Sequence, residues 1–338
     1  MPNDHLRAGY RALLVLLACL AWPAWAGDTM QTMTLGKPVP YPFFTYANAR
    51  LDTRLPVQHA VIVLHGVHRD ADHYYRSGLT LLGNAGLTQD DTLLLAPRFF
   101  SEDDPQATPT PPLWVKSQWL QGHESVAGRS GISAFAVLDD LLAYLADRHR
   151  FPHLEDITLI GHSAGGQLLQ RYTLLGTGDQ ALRALGIHVR YIVASPSTYL
   201  YLDANRPLGE GFDPLPAAQC ADYDRYRYGL PGAPDYFVMQ HLDARQVLGR
   251  YAARDVTYLV GERDRHPHSR IMDRSCAAQA QGSDRVERQL NYLRYEAFLG
   301  QRWSIALAHR QYVLPGVGHD PARLLNDPGV AQLLFPGH

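Results

Sequence analysis

Six short apolar runs recur along the chain and predict buried β-strands. They cover residues 59–66, 91–97, 156–162, 189–196, 255–262 and 311–316. Hydrophobic residues fill these runs continuously instead of alternating with polar ones, which is typical of strands that are covered on both faces. The pattern therefore predicts an α/β fold in which a mostly parallel sheet is flanked by helices.

Longer amphipathic stretches lie between the runs and predict the helices. Apolar residues three and four positions apart give 133–149 one hydrophobic face, and Ser133 is a candidate N-cap. A similar stretch covers 283–300. No repeat of fixed period and no Gly/Ser-rich linker divides the sequence, so we predict one domain over 27–338. Strands before residue 55 are hard to recognise.

The first 26 residues have the pattern of a secretory signal peptide. Arg7 and Arg11 form a basic segment, residues 13–22 are apolar, and residues 24–26 read A-W-A, a small-residue cleavage signature. The apolar run is too short to span a bilayer comfortably. We therefore predict a signal peptide over 1–26 and a secreted or periplasmic protein. An uncleaved anchor and lipidation of Cys19, which lies in a loose lipobox, are the alternatives.

The charge balance argues against nucleic acid or an anionic membrane surface as a partner. The chain has 31 Lys and Arg against 33 Asp and Glu, a formal net charge of −2. Cleavage after residue 26 would remove Arg7, Arg11 and Asp4, one net positive charge, and would leave about −3. We expect no stable membrane association after cleavage.

Two cysteines, Cys220 and Cys276, remain in the cleaved chain. An exported protein meets an oxidising compartment, so a disulfide between them is plausible, and two separate buried thiols are the alternative. No CxxC or HExxH spacing occurs, so the sequence predicts neither a metal site nor a cofactor.

The stretch GHSAGG, residues 161–166, follows one of the apolar runs and precedes a helix-like segment. A G-x-S-x-G sequence at such a junction is typical of a sharp turn that exposes a nucleophilic serine. Gly161 and Gly165 lack the Cβ atoms that would collide in this turn. Ser163 is therefore a candidate nucleophile, and a glycine-rich turn with a capping serine is the alternative.

A serine hydroxyl needs a base to take its proton and an acid to orient that base. His319 follows the last predicted strand and is the candidate base. Asp264 follows the 255–262 strand and is the candidate acid, with Glu262 as the alternative. In folds with this kind of elbow, the serine comes first along the chain, then the acid, then the histidine, and the three candidates here follow that order.

Two backbone N–H groups are expected to form an oxyanion hole. The Ala164 N–H follows the nucleophile directly. The second donor is expected at the turn after the 59–66 strand, from Val67 or alternatively His68, because Gly66 lets this loop approach the serine. His65 is interpreted as a residue that orients the loop.

The motifs VIVLHG, GHSAGG, LVGERD and GVGHD stand in the order found in the α/β-hydrolase superfamily, and the chain resembles its serine esterases and lipases over 55–338. The resemblance implies a mostly parallel sheet of about eight strands. It also implies an acyl-enzyme mechanism that needs no metal and no cofactor. A secreted subgroup of hydrolases shares further segments with this chain, but they indicate no substrate.

The superfamily often inserts a cap after the strand at 189–196. The corresponding segment here, about 197–250, is rich in tyrosine and proline. Tyr199, Trp114 and His68 are candidate substrate-binding residues, and ordinary packing is the alternative for each aromatic ring.

Together these features predict an exported serine hydrolase that cleaves carboxylic esters of small molecules or polymers. A polyester depolymerase or a peptidase on the same fold is the alternative among enzymes. A non-catalytic binding protein is the alternative from another class, although no catalytic residue is missing from the pattern.

Overall fold

A computed structural model describes residues 30–336, and an eight-stranded sheet forms its centre. The strands are β1 (Gln31–Leu35), β2 (Tyr41–Ala47), β3 (His59–Leu64), β4 (Thr92–Pro97), β5 (Asp156–His162), β6 (His188–Ala194), β7 (Asp255–Gly261) and β8 (Arg310–Leu314). All six predicted strands are present, with ends shifted by at most two residues. The prediction of burial is wrong for β8, which lies at the edge of the sheet and is exposed at four of its five positions.

The strand order is β1-β2-β4-β3-β5-β6-β7-β8. The pairs from β4 through β8 are parallel, and β1 and β2 are joined antiparallel at one edge. The carboxyl ends of β5, β7 and β8 therefore lie at the same edge of the sheet. These are the ends that precede Ser163, Asp264 and His319.

Besides one 3₁₀ helix at Gln118–Gln121, ten α-helices accompany the sheet within residues 30–336. They are α1 (Ala71–Asn84), α2 (Ala134–Leu145), α3 (Ala164–Leu175), α4 (Asp179–Ala184), α5 (Asp235–Val238), α6 (Ala244–Ala252), α7 (Cys276–Gln279), α8 (Arg285–Trp303), α9 (Pro321–Leu325) and α10 (Pro328–Leu334). Short strand pairs also occur at Asn205–Leu208 with Gly211–Pro214, and at Phe100–Ser101 and Ala127–Gly128 with Pro112–Trp114.

Alternating side chains of the inner strands face two separate cores. In β3, Ala60, Ile62 and Leu64 belong to one hydrophobic cluster, while Val61 and Val63 belong to the other. All five are fully buried. Burial on both faces is the physical reason for the continuous apolar runs in the sequence.

The two long predicted helices differ from expectation at their ends. The Ser133 side chain accepts a hydrogen bond from Phe135 N, so α2 begins at its predicted cap but ends four residues early. Helix α8 runs past Gly300 to Trp303 and ends where Ser304 adopts a left-handed conformation, φ 56°. Gly300 lies inside the helix, and the chain that follows the helix packs against its bare face, where the Ile305 carbonyl oxygen would lie 2.8 Å from a Cβ.

Segment 197–250 lies between β6 and β7 and is tied to the neighbouring loop. Cys220 and Cys276 form the predicted disulfide, with their Cα atoms 5.8 Å apart. The buried Arg206 donates to the carbonyls of Tyr223 and Tyr228. The single domain over 27–338 and the cap-like role of this segment stay predictions.

The signal peptide predicted over 1–26 lies outside the described residues, as does Cys19. Within residues 30–336, we find no helix with the length and apolar character needed to cross a membrane.

Candidate active site

The junction of β5 and α3 forms a strained turn that presents a serine. Ser163 has φ 57° and ψ −113°, outside the regions that ordinary L-residues favour. Its amide donates to the Ala194 carbonyl at 2.9 Å, which holds the turn against β6. A Cβ on Gly161 would lie 2.3 Å from the carbonyl oxygen of Gly165. The geometry is that of the elbow predicted from G-x-S-x-G.

Three distant side chains meet above this turn. His319 Nε2 lies 3.0 Å from Ser163 Oγ, and His319 Nδ1 lies 2.7 Å from Asp264 Oδ2. The structure thus brings together all three residues that were predicted to form the relay, in the predicted order. Ser163 is 6% exposed and Asp264 is fully buried.

The alternative acid does not reach the histidine. Glu262 is exposed, and its carboxylate accepts a hydrogen bond from the Gly316 amide at 2.8 Å. Asp264 instead turns inward, because its amide closes a tight turn on the Gly261 carbonyl. Glu262 therefore braces the turn before His319, and Asp264 faces the imidazole.

Burial and charge set the protonation states at the site. Burial lowers the pKa of His319, although the hydrogen bond from its Nδ1 to the Asp264 carboxylate opposes this effect. Burial alone would raise the pKa of Asp264, but its contacts with His319 and Arg285 hold that pKa below its usual range. At neutral pH the pair is therefore a carboxylate beside a neutral imidazole, which is the state a general base requires.

The two predicted oxyanion donors lie at the same edge of the sheet. Ala164 is the first residue of α3, so its N–H has no acceptor within the helix. A Cβ on Gly165 would lie 2.5 Å from the Leu64 carbonyl oxygen, which shows how closely the elbow packs against the end of β3. Val67 and the exposed His68 follow three and four residues after Leu64.

An ion pair holds the loop that carries Val67. Arg69 Nε and Nη2 donate to the two oxygens of the Asp104 carboxylate at 2.7 and 2.6 Å, and the Arg69 amide closes a turn on the Gly66 carbonyl. His65 lies beneath the loop and is buried. Its Nε2 accepts from the Phe99 amide, and burial lowers its pKa to about 4. This neutral histidine fits the loop-orienting interpretation.

Sequence reasoning missed a contact between the two halves of the site. The Tyr74 hydroxyl lies 2.9 Å from His162 Nδ1 and packs against Gly66, where a Cβ would lie 2.8 Å from the hydroxyl oxygen. The His162 ring in turn packs against the His319 ring, with centroids 4.7 Å apart. Tyr74 therefore links the Gly66 turn, where an oxyanion donor is predicted, to the elbow. No spacing in the sequence indicates this pairing, since the two residues are 88 positions apart.

The predicted substrate-binding role is corrected for two of the three candidates, because both side chains are buried in the core. Trp114 is fully buried and donates from Nε1 to the His123 carbonyl. Tyr199 is fully buried and stacks on Tyr292 at a centroid distance of 4.6 Å. Both rings pack inside the core and do not line an open surface. His68 is exposed on the turn that follows β3 and stays a candidate.

The close packing of the elbow leads to a first prediction. We expect Gly165→Ala to lower turnover about 100-fold, because the new methyl group must push the serine away from the end of β3, and a shift of about 1 Å has that cost. Gly249→Ala is the control, since Gly249 is exposed inside α6 with open space around it. It should stabilise the fold by up to about 1 kcal/mol and leave turnover unchanged. Steady-state kinetics and thermal unfolding of both variants make the test, and full activity in Gly165→Ala would contradict it.

Among residues 30–336, no group of three or more histidine, cysteine, aspartate or glutamate side chains could hold a metal ion.

Comparison with known proteins identifies the fold. No protein-family model and no curated protein sequence matches the chain. The structure is similar to that of a poly(3-hydroxybutyrate) depolymerase from Bordetella parapertussis, with 21% identity and a TM-score of 0.65 over 92% of this chain and 91% of that one. It is also similar to poly(aspartic acid) hydrolase-1 from Sphingomonas sp. KT-1, with 19% identity and a TM-score of 0.61 over 90% and 98% of the two chains. These likenesses and the sheet order confirm that the chain has the α/β-hydrolase fold.

Proposed function

We propose that the chain is a serine hydrolase that cleaves carboxylic esters through an acyl-enzyme intermediate. The observation that carries the proposal is the relay Ser163–His319–Asp264, with successive contacts of 3.0 and 2.7 Å at a strained elbow. A serine hydroxyl is a weak nucleophile, and this arrangement of base and orienting acid is what activates it.

Each residue has a defined part in the proposed reaction. Ser163 Oγ attacks the ester carbonyl carbon while His319 Nε2 takes its proton. Asp264 holds His319 in the tautomer with the proton on Nδ1 and stabilises the imidazolium that forms. His319 then returns the proton to the departing alcohol, which leaves an acyl group on Ser163. A water molecule deprotonated by His319 then attacks the acyl carbon. The bond to Ser163 Oγ breaks, His319 returns the proton to Oγ, and the acid leaves.

The tetrahedral intermediates carry an oxyanion that needs donors. We assign this role to the N–H groups of Ala164 and Val67, with His68 N–H as the alternative to Val67. The start of α3 supports the assignment of Ala164, because the end of a helix with unpaired N–H groups favours negative charge. One such donor contributes about 3–4 kcal/mol to the stabilisation of a transition state.

A polymeric ester is the second candidate substrate at the same site. Such a substrate is favoured by the structural similarity, over 92% of this chain, to a protein named as a poly(3-hydroxybutyrate) depolymerase. The other neighbour is named as a hydrolase of poly(aspartic acid). Both names describe polymers built from repeated acyl linkages, so a polymer substrate would use the same relay.

A substrate panel tests the proposal. We expect the purified protein to hydrolyse p-nitrophenyl esters of graded acyl length, and to hydrolyse the matching anilides far more slowly. A soluble polyester oligomer in the same panel decides between small and polymeric esters. Faster cleavage of the anilides would favour the peptidase alternative. Absence of turnover on every substrate would favour a non-catalytic binding protein.

We further propose that the protein is exported, on the basis of the signal-peptide pattern over 1–26. The Cys220–Cys276 disulfide supports the proposal, because such bonds persist in oxidising compartments. Mass spectrometry of protein isolated from the periplasm or medium should find an N-terminus at Gly27. An intact Met1 or a lipidated Cys19 would contradict cleavage after residue 26.

A further inference from the structure

The carboxylate of Asp264 has a second partner besides the histidine. Arg285 Nη1 donates to Asp264 Oδ1 at 3.1 Å, while His319 meets Oδ2 at 2.7 Å. Arg285 Nη2 donates to the Ile271 carbonyl at 3.2 Å. Asp264 is 0% and Arg285 is 1% exposed, so the ion pair is sealed from water.

We propose that Arg285 is a positioning residue for the Ser163–His319–Asp264 relay: it holds the Asp264 carboxylate toward the histidine and sets the lowest pH at which His319 acts as the base. The inference rests on the proposed function, since it concerns the same relay. The Arg285 guanidinium donates to Asp264 and to the Ile271 carbonyl, and the serine and the histidine bond to each other and to Asp264, so Arg285 acts through Asp264.

The positioning role follows from the hydrogen bonds of the carboxylate. A buried carboxylate accepts hydrogen bonds at both oxygens and is costly to leave without them. Arg285 is the side chain that donates to Oδ1. Its own place is fixed because it lies in the first turn of α8, where the Asp284 side chain caps the helix by accepting from Glu287 N. The guanidinium therefore ties the acid of the relay to the start of a long helix.

The effect on pH follows from the charges that face His319. Burial of His319 disfavours its protonated form, and the Arg285 charge disfavours it as well. The carboxylates of Asp264 and Asp320 favour the protonated form of His319. His162, which packs against the ring, is neutral, because burial holds its pKa well below the usual value. Among these groups around His319, Arg285 is the one that carries a positive charge at every pH of interest. It offsets part of the Asp264 charge, and His319 remains neutral at a lower pH than it otherwise would.

The sign of the expected change is then determined. His319 acts as a base only when it is neutral, so kcat/KM falls as the pH drops through its pKa. Removal of the Arg285 charge leaves Asp264 uncompensated, which raises the pKa of His319 and moves the acid limb of the profile to higher pH. Asp264 also becomes easier to protonate without Arg285, and this change too moves the acid limb of the kcat/KM profile to higher pH.

Helix α8 supplies a matched control. Arg288 is also 1% exposed, but it donates to the backbone carbonyls of Ser197, Gly282 and Asp273 and does not contact Asp264. Arg288→Met therefore removes a buried guanidinium of the same helix without touching the relay. It should lower thermal stability and leave the acid limb in place.

The experiment is the pH profile of kcat/KM from pH 4 to 9 on the best ester of the panel, with thermal unfolding of each variant. We expect Arg285→Met to move the acid limb upward by about one pH unit, Arg285→Lys to restore it, and Arg288→Met to leave it unchanged. An unmoved limb in Arg285→Met, or an equal shift in Arg288→Met, would overturn the inference.

Two further measurements keep the test decisive. If Arg285→Met fails to fold, Arg285→Gln takes its place, and the same upward shift of the acid limb is expected. A wild type without turnover on any ester would instead reject the proposed function, and NMR titration of His319 in wild type and variants would still test Arg285 independently.

Discussion

Replacement of Ser163 by alanine is expected to lower kcat for ester hydrolysis by about 10⁶-fold, the scale of loss found when serine proteases lose their nucleophile. The relay would keep its base and acid but would have no atom to attack the carbonyl carbon. The fold should persist, because alanine carries the same Cβ and leaves the backbone strain of the elbow unchanged. Initial rates on the best ester and a thermal unfolding curve check both statements.

Ser195 provides the control for this variant. It is buried, it follows β6 with φ 46°, and its Oγ has no hydrogen-bond partner among residues 30–336. Ser195→Ala should therefore retain turnover near that of the wild type. Retention of full turnover by Ser163→Ala, in a preparation free of contaminating esterase, would show that another residue performs the attack.

Asp264→Asn is expected to lower kcat by about 10⁴-fold, as the same substitution does in serine proteases. The amide nitrogen can donate to His319 Nδ1 and so favours the tautomer whose proton lies on Nε2, where the base must accept one. The amide also cannot stabilise the imidazolium as a carboxylate does. Arg285 would lose its buried counter-charge, so the variant should also be less stable.

Glu262→Gln is the matched control for the acid. Glu262 lies two residues earlier on the same turn, is exposed, and accepts only from the Gly316 amide among the hydrogen bonds described. The glutamine can still accept that bond, so kcat should change little. A large loss in Glu262→Gln with a small loss in Asp264→Asn would reverse our assignment of the acid.

Much of the fold could be predicted because strands that are buried on both faces consist of continuous apolar residues, and such runs are visible in the sequence. Strands β3 to β7 lie in largely apolar runs, because they are covered on both faces, whereas the edge strand β8 is exposed at four of its five positions. Strands β1 and β2 escaped prediction because they form the antiparallel edge. In β2 buried and half-buried positions alternate, and Pro42 interrupts the pattern. Such strands have a weaker apolar signal.

The relay could be predicted because its members occupy ends of neighbouring parallel strands, and the order of the motifs along the chain places them there. The sequence favoured Asp264 as the acid but left Glu262 open as the alternative, since both follow β7 and only the turn geometry separates them. Trp114 and Tyr199 show the same limit of sequence analysis, because the sequence does not distinguish an aromatic residue that packs in the core from one that lines a cleft. Arg285 and Tyr74 act through contacts between distant segments, which no local pattern records.

The central claim is that Ser163 is the nucleophile activated by His319, and covalent labelling tests it most directly. The protein is incubated with a fluorophosphonate, and the modified residue is located by peptide mass mapping. We predict one added phosphonyl group on Ser163, none in Ser163→Ala, and much slower labelling in His319→Ala. Labelling of a different serine, or no labelling of the folded wild type, would contradict the account.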